Sequence, residues 1–302
     1  MREFNYGGQA VMEGVMMRGA KYMAVAVRGP TGEITVHSEP LNAKIYGGRI
    51  VKLPFLRGSI MLWDSLVLGM RALLFSADIA LEEEEEVEFS GPIAWGSVAF
   101  SFVIGIGVFL LGPLFLARLV DRYIVSSLVS VIIEGLIRLA FFLIYVYVIG
   151  FIPDIQRVFA YHGAEHKTIN AYEGGAPLEP DAIKAYSTAH PRCGTGFTLL
   201  FAVIAILVFS LFGRPTLVLR ILSRLVLIPV IAGLAYELIK FGAAHRDNPL
   251  IRVLVITPSL TLQRLTTREP DEPMLEVAIT ALQRLLDIED EGLKGTVSSV
   301  AG

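Results

Sequence analysis

The residues best suited to chemistry lie in the stretch from Tyr161 to Lys167, directly after a long apolar segment. Here two histidines and a glutamate follow the order H-x-x-E-H at His162, Glu165 and His166. On a helix, residues three and four positions apart share one face. The spacing therefore predicts that both imidazoles reach a single ion and that the carboxylate lies beside it.

This order of residues is typical of inverzincin-type sites, in which two histidines hold zinc and the glutamate is general base to a bound water. The motif predicts a divalent transition metal, zinc in first place, held by His162 and His166, with Glu165 as the catalytic residue. The competing interpretation is a polar helix end at a membrane surface, whose side chains cap the helix and reach into water.

The remaining ligands can be chosen in two ways. An open site takes Glu237 as its third protein ligand and leaves one position for water. A closed tetrahedral site takes His190 and Cys193 instead, which makes the metal structural. The residue pattern alone leaves both schemes open.

Two further polar residues are candidates for the same site. His245 follows Glu237 near the end of an apolar segment, so it is expected on the surface that carries the other candidates. Glu13 lies among methionines and valines in a glycine-punctuated stretch. It is either a solvent-facing residue of an alternating strand or a functional one.

Composition predicts an integral membrane protein with a lipid bilayer as its main partner. Of 302 residues, 54% are hydrophobic and 18% are charged, and mean hydropathy is +0.60, beyond ordinary soluble domains. The net charge of −3 and the absence of a basic stripe predict no binding to nucleic acid. The single cysteine excludes an intrachain disulfide framework.

The predicted fold class is a mainly α membrane protein with about four transmembrane helices. These are expected at about 93–117, 127–152, 197–212 and 219–241. Within the second, Glu134 and Arg138 stand four apart and are expected to form an ion pair. An even number of crossings and an N-terminus without a signal peptide place both termini in the cytoplasm of a bacterial cell.

The segment from Ser59 to Ile79 is expected to be an interfacial helix, because Asp64 and Arg71 would be costly to bury in lipid. An acidic run, Glu82–Glu86, follows it as a solvated linker. Before it, 22–28 and 33–37 predict a β-hairpin around the turn residues 29–32. The apolar spacing after residue 273 predicts a C-terminal amphipathic helix.

These elements divide the chain into six regions. They are an N-terminal Gly-rich and β-hairpin region (1–58), the interfacial helix and acidic linker (59–92), two transmembrane helices (93–152), a cytoplasmic metal-site loop (153–196), two more transmembrane helices (197–241) and a cytoplasmic tail (242–302).

Four segments also carry a likeness to a known family. They run from Gly7 to Gly19, from Tyr161 to Lys167, from His190 to Thr195 and from Leu265 to Pro270. In them the chain resembles the YqhQ-like family of bacterial multi-spanning membrane proteins, which has plastid relatives and whose members are described as predicted metal-dependent enzymes. The resemblance implies a metal but names no substrate.

Two functions are expected from these observations. The first is a metal-dependent membrane hydrolase, with a peptidase-like activity as one form of it, that acts at the cytoplasmic membrane surface. The second is a non-catalytic scaffold or transport component in which the metal pins the loop between the second and third transmembrane helices. The substrate is not predicted, and a homo-oligomer is compatible with either function.

Overall fold

The computed structural model describes residues 6–42, 53, 56–80, 92–213, 216–245 and 247–300. Its described part is mostly helical and contains one four-stranded antiparallel sheet in the order β1-β2-β3-β4. The strands are β1 (Gly7–Val11), β2 (Gly14–Arg18), β3 (Tyr22–Arg28) and β4 (Ile34–Pro40). The predicted hairpin is confirmed as β3 and β4. The hairpin of β1 and β2 was not predicted.

The helices are numbered in chain order. They are α1 (Leu56–Ala80), α2 (Pro92–Ile106), α3 (Gly112–Asp121), α4 (Ser127–Ile149), α5 (Pro153–Glu173), α6 (Pro180–Ile183), α7 (Gly194–Ser210), α8 (Leu217–Ala244), α9 (Pro249–Ile251), α10 (Thr257–Thr266) and α11 (Glu272–Val300). Short π-helical turns, Gly107–Leu111 and Arg252–Ile256, join α2 to α3 and α9 to α10.

Within the described part of the chain, four helical segments are long and apolar enough to cross a membrane: Leu56–Ala80, Trp95–Asp121, Ser127–Ile149 and Ile221–Gly242. Three of them match predicted transmembrane helices. The remaining predicted transmembrane helix, at 197–212, corresponds to the shorter apolar helix α7. Gly213, which follows this helix, has a positive φ of 60°. Helix α1, predicted to be interfacial, meets the same criteria of length and composition.

The two ends of α1 contact different parts of the chain. At its start, the Arg57 guanidinium bonds to Glu237 near the end of α8. Further along, Leu68 and Ala72 pack on one face of the sheet. The second half of α1 contacts the sheet, as an interfacial helix would. The placement of α1 relative to a membrane stays a prediction. The acidic run Glu82–Glu86 lies outside the described residues.

Strands β2 and β3 are buried on both faces because the sheet is the middle layer of three. On one face, Met16, Met23 and Val25 pack against α1. On the other, Val15 and Met17 pack against α5 and α11. Successive side chains of a strand point to opposite faces, so a strand covered on both sides reads as a continuous apolar run.

The C-terminal helix α11 supplies most of the third layer. Its apolar face is buried, as its spacing predicted, and includes Leu275, Leu282 and Leu285, none of which is exposed to solvent. Burying a leucine contributes about 1.5–3 kcal/mol. The same hydrophobic cluster contains Tyr161 and Ala164 of α5, so α11 and the sheet together position the helix that carries the H-x-x-E-H motif.

Within the transmembrane candidates, the predicted ion pair is confirmed. Arg138 Nη2 lies 3.0 Å from Glu134 Oε1 on the next turn of α4. Arg224 of α8 approaches the same oxygen at 2.5 Å. Because the Glu134 side chain is only 1% exposed, this carboxylate compensates buried positive charge and ties α4 to α8.

Candidate metal centre

Helix α5 presents His162 and His166 on one face, as the motif predicted. The helix is continuous from Pro153 to Glu173, and the two imidazole rings have their centroids 4.4 Å apart. Its N-terminus carries Pro153 and Asp154 in the first turn, where a proline costs no hydrogen bond and an acid complements the helix dipole.

Backbone carbonyls fix the orientation of both rings. His162 Nδ1 lies 2.9 Å from the carbonyl oxygen of Thr266, and His166 Nδ1 lies 2.6 Å from that of Thr188. A carbonyl oxygen only accepts hydrogen bonds, so both Nδ1 atoms are donors. In its neutral form, each ring would therefore have its lone pair on Nε2, the nitrogen left for a metal.

The third donor is Cys193, the N-cap residue of α7. Its Sγ lies 3.2 Å from His162 Nε2 and accepts a hydrogen bond from the backbone N–H of Thr195 at 3.4 Å. The thiolate is the form of cysteine that binds metals. His162, His166 and Cys193 each offer one ligand atom, and these three atoms all lie within 4.8 Å of one another.

The carboxylate of Glu165 is buried beside this group. Its Oε2 lies 3.4 Å from His166 Nε2, and the backbone N–H of Gly8 in β1 bonds to the carboxylate. Burial raises the pKa of Glu165 to about 7, although His162, Gly8 and Arg192 act in the opposite direction. A carboxyl group with a pKa near neutrality can both accept and return a proton.

The close approach of β1 to Glu165 requires a glycine at position 8. A Cβ atom there would lie 2.8 Å from Glu165 Cγ and 2.6 Å from the carbonyl oxygen of Met16. These separations are shorter than ordinary van der Waals contacts. At Gly7 a Cβ atom would meet nothing within 4 Å, so only the second glycine of the pair is required for packing.

The structure does not bring Glu237, the preferred third ligand of the open scheme, to this group. Both of its carboxylate oxygens bond to Arg57, at 2.6 and 2.5 Å. A bidentate pair with arginine occupies the oxygens that would bind a metal. The geometry supports Cys193, the alternative ligand, in place of Glu237.

His190, the other alternative ligand, lies next to the group but outside it. Its ring centroid is 5.7 Å from that of His166, and Gln263 bonds to both its backbone N–H and its carbonyl. Among the described residues, its buried Nε2 has no hydrogen-bond partner. Burial, Arg192 and His166 lower the pKa of His190 to about 3, so this ring is neutral.

The remaining two candidates have other surroundings. Glu13 lies in the turn between β1 and β2 with a positive φ of 49°. Its carboxylate pairs with Arg157 at 2.5 Å and accepts a hydrogen bond from Tyr161 at 3.3 Å, so it anchors the hairpin to α5. His245 is exposed at the end of α8, and its Nδ1 bonds to the Phe241 carbonyl.

A small cavity of about 40 Å³ touches Cys193. Its walls include Gly196 of α7 and Ser259 of α10. A space of this size has room for water. Because His162 and Cys193 are only partly buried, the group is accessible from the surface.

Several residues that shape the site were missed from the sequence. The carbonyl of Thr188 and the backbone N–H of Gly8 act through main-chain atoms, which no residue type announces. Thr266 lies within the segment 265–270, and Gly8 within the segment 7–19. Both segments carry the family resemblance, and this resemblance was the one feature of the sequence that marked Gly8 and Thr266.

Comparison with known proteins agrees with that likeness. The family model described as "Protein of unknown function (DUF1385)" matches residues 53–288. The chain belongs to this family. It is 36% identical over 297 residues to the Bacillus subtilis (strain 168) protein named "Uncharacterized protein YqhQ", covering 94% of this chain and 93% of that one. This DUF1385 member has no significant match among solved structures.

Proposed function

We propose that this DUF1385 protein is a metal-dependent hydrolase of the membrane surface, with zinc held by His162, His166 and Cys193. One observation carries the proposal. Three ligand atoms converge within 4.8 Å, and the buried carboxylate of Glu165 lies 3.4 Å from one of them. Three protein ligands with a fourth position left for water or substrate are typical of catalytic zinc sites.

Each residue then has a distinct role. The carbonyls of Thr266 and Thr188 hold the two imidazoles with Nε2 directed to the metal position. Glu165 accepts the proton of the attacking water and returns it to the leaving group, while Gly8 keeps its carboxylate in place. When bound, zinc would supply a Lewis acid that polarises the substrate and lowers the pKa of its water ligand.

A second function is favoured by the ring of His190. Its buried Nε2 has no hydrogen-bond partner among the described residues, and a buried polar atom without a partner costs free energy. As the fourth ligand, it would complete a closed, structural site. The protein would then be a scaffold or transport component, with the metal joining α5 to α7.

Access of a small anion to the metal separates the two functions. Cobalt-substituted protein in detergent is titrated with azide and followed by its visible absorption. An open site exchanges its water for azide and the spectrum changes. An unchanged spectrum, together with stoichiometric cobalt, would establish the closed site and refute the hydrolase.

Replacement of the proposed base provides an independent test. Glu165→Gln keeps the shape of the side chain and all three ligands, so zinc per chain should stay at the wild-type value. Hydrolysis of a panel of membrane-inserted esters and peptides should fall by about 10²-fold or more. The matched control is Glu179→Gln, an exposed glutamate of the loop between α5 and α6, which should change neither quantity.

A further inference from the structure

A cavity of about 950 Å³ opens among α1, α2, α4, α7 and α8. This volume is at the upper end of the ~300–1,000 Å³ found for small-molecule sites. Its described lining is almost entirely apolar. The two charged residues in that lining are Arg138 and Arg224, and both bond to the carboxylate of Glu134.

The dimensions of this cavity fit one half of a bilayer. Along α7 its wall runs from Thr198 to Phe209, which is about 16 Å at the helical rise per residue. The hydrocarbon core of a bilayer is ~30 Å thick, so the cavity has the length of a lipid tail in one leaflet. At the end of the cavity formed by Phe209, the Arg224 guanidinium lies over the phenyl ring, with its Cζ 4.7 Å from the ring centroid.

The end of the cavity at Thr198 lies next to the candidate metal centre. Thr198 follows Cys193 on α7 by about 7 Å along the helix axis. Met12 also lines the cavity. Its neighbour Glu13 accepts a hydrogen bond from Tyr161, the residue before His162, so we assign Met12 to this end. An amphiphile with its tail in the cavity would therefore have its head group close to the metal ligands.

We propose that this cavity binds the hydrocarbon chain of a membrane lipid whose head group lies at the end occupied by Met12 and Thr198. Apolar walls of this extent are not hydrated favourably, and four of the five surrounding helices, α2, α4, α7 and α8, correspond to the predicted transmembrane helices. If the proposed hydrolase function holds, on which this step rests, its substrate is a lipid or a lipid-linked molecule that is cleaved near its head group.

Photolabelling in nanodiscs tests the proposal. Two phosphatidylglycerol probes are used, one with a diazirine near the end of an acyl chain and one with a diazirine on the head group. Labelled positions are mapped by mass spectrometry. The tail probe should label α7 between Ala202 and Phe209, and the head-group probe should label the region around Thr198.

A cavity-filling variant supplies the specificity control. Ala202→Trp places an indole in the cavity and should reduce tail labelling inside it at least five-fold. Val203→Trp adds the same ring to the exposed outer side of α7, where Val203 is 41% exposed, and should leave that labelling unchanged. Ser101→Trp, on the part of the wall formed by α2, repeats the test should Ala202→Trp fail to fold.

Equal labelling of the cavity and of the outer face, unaffected by either cavity variant, would mean ordinary surrounding lipid and would overturn the proposal. If the tail probe labelled the region around Thr198 and the head-group probe labelled α7 between Ala202 and Phe209, the assigned orientation of the lipid would be overturned. Zinc is measured in the same samples. Labelled cavities without zinc would refute the hydrolase alone, whereas zinc without cavity labelling would refute the lipid site alone.

Discussion

Replacing Cys193 by serine should remove most of the bound metal. The substitution changes one atom, keeps the side-chain volume nearly constant and leaves an N-cap residue of a preferred type at the start of α7. Structural zinc sites with four protein ligands bind with about 10–16 kcal/mol. Each ligand thus contributes roughly 3–4 kcal/mol, so loss of the thiolate should weaken zinc binding by about 10²–10³-fold.

The assay is zinc per chain after dialysis, with affinity measured by competition against a chromophoric chelator. In cobalt-substituted protein, the thiolate-to-metal charge-transfer band should be present in the wild type and absent in Cys193→Ser. The matched control is Glu237→Gln. Its carboxylate is bonded to Arg57, so the variant should keep wild-type zinc affinity even where loss of the ion pair lowers stability.

Retention of zinc at wild-type affinity by Cys193→Ser would refute the ligand set. Loss of zinc from Glu237→Gln with retention in Cys193→Ser would restore the open scheme with Glu237 as ligand. It would also mean that the Arg57 pair is exchanged for the metal when the metal binds. Wild-type protein that neither carries nor takes up a transition metal would refute every metal scheme.

Two other predictions concern packing and topology. Gly8→Ala should lower the free energy of unfolding of the N-terminal sheet by about 1–3 kcal/mol through overpacking against Glu165, whereas Gly7→Ala should leave the thermal unfolding midpoint unchanged. Cysteines placed at the exposed positions Glu179 and Asp290, in a Cys193→Ala background, should both react with a membrane-impermeant reagent only from the cytoplasmic side. Reaction from opposite sides would contradict the predicted topology.

Local patterns predicted the parts of the site that depend on helical spacing. His162, Glu165 and His166 share a face because α5 is a regular helix, and four-residue spacing determines this without tertiary contacts. The ion pair between Glu134 and Arg138 was predicted for the same reason. The choice between Glu237 and Cys193 as third ligand could not be made from the sequence. Arg57, which pairs with Glu237, lies 180 residues away along the chain, and no local pattern connects them.

The missed hairpin has a different physical cause. Alternation of apolar and polar residues identifies strands with one wet face, but Val15, Met16 and Met17 are all buried because α1 covers one face and α11 the other. A strand enclosed on both sides loses the period of two. The turn at Glu13 with its positive φ is likewise unusual for a residue other than glycine.

The three-layer arrangement around the sheet has a consequence for biosynthesis. Val15 and Met17 leave the ribosome well before Leu275 and Leu282, which cover them. Until α11 is complete, one face of the sheet and the adjoining face of α5 remain without their apolar cover. Contacts of such large sequence separation form slowly. Closure of the layer around the histidines is therefore expected to follow synthesis of α11, with the nascent protein exposed to aggregation until then.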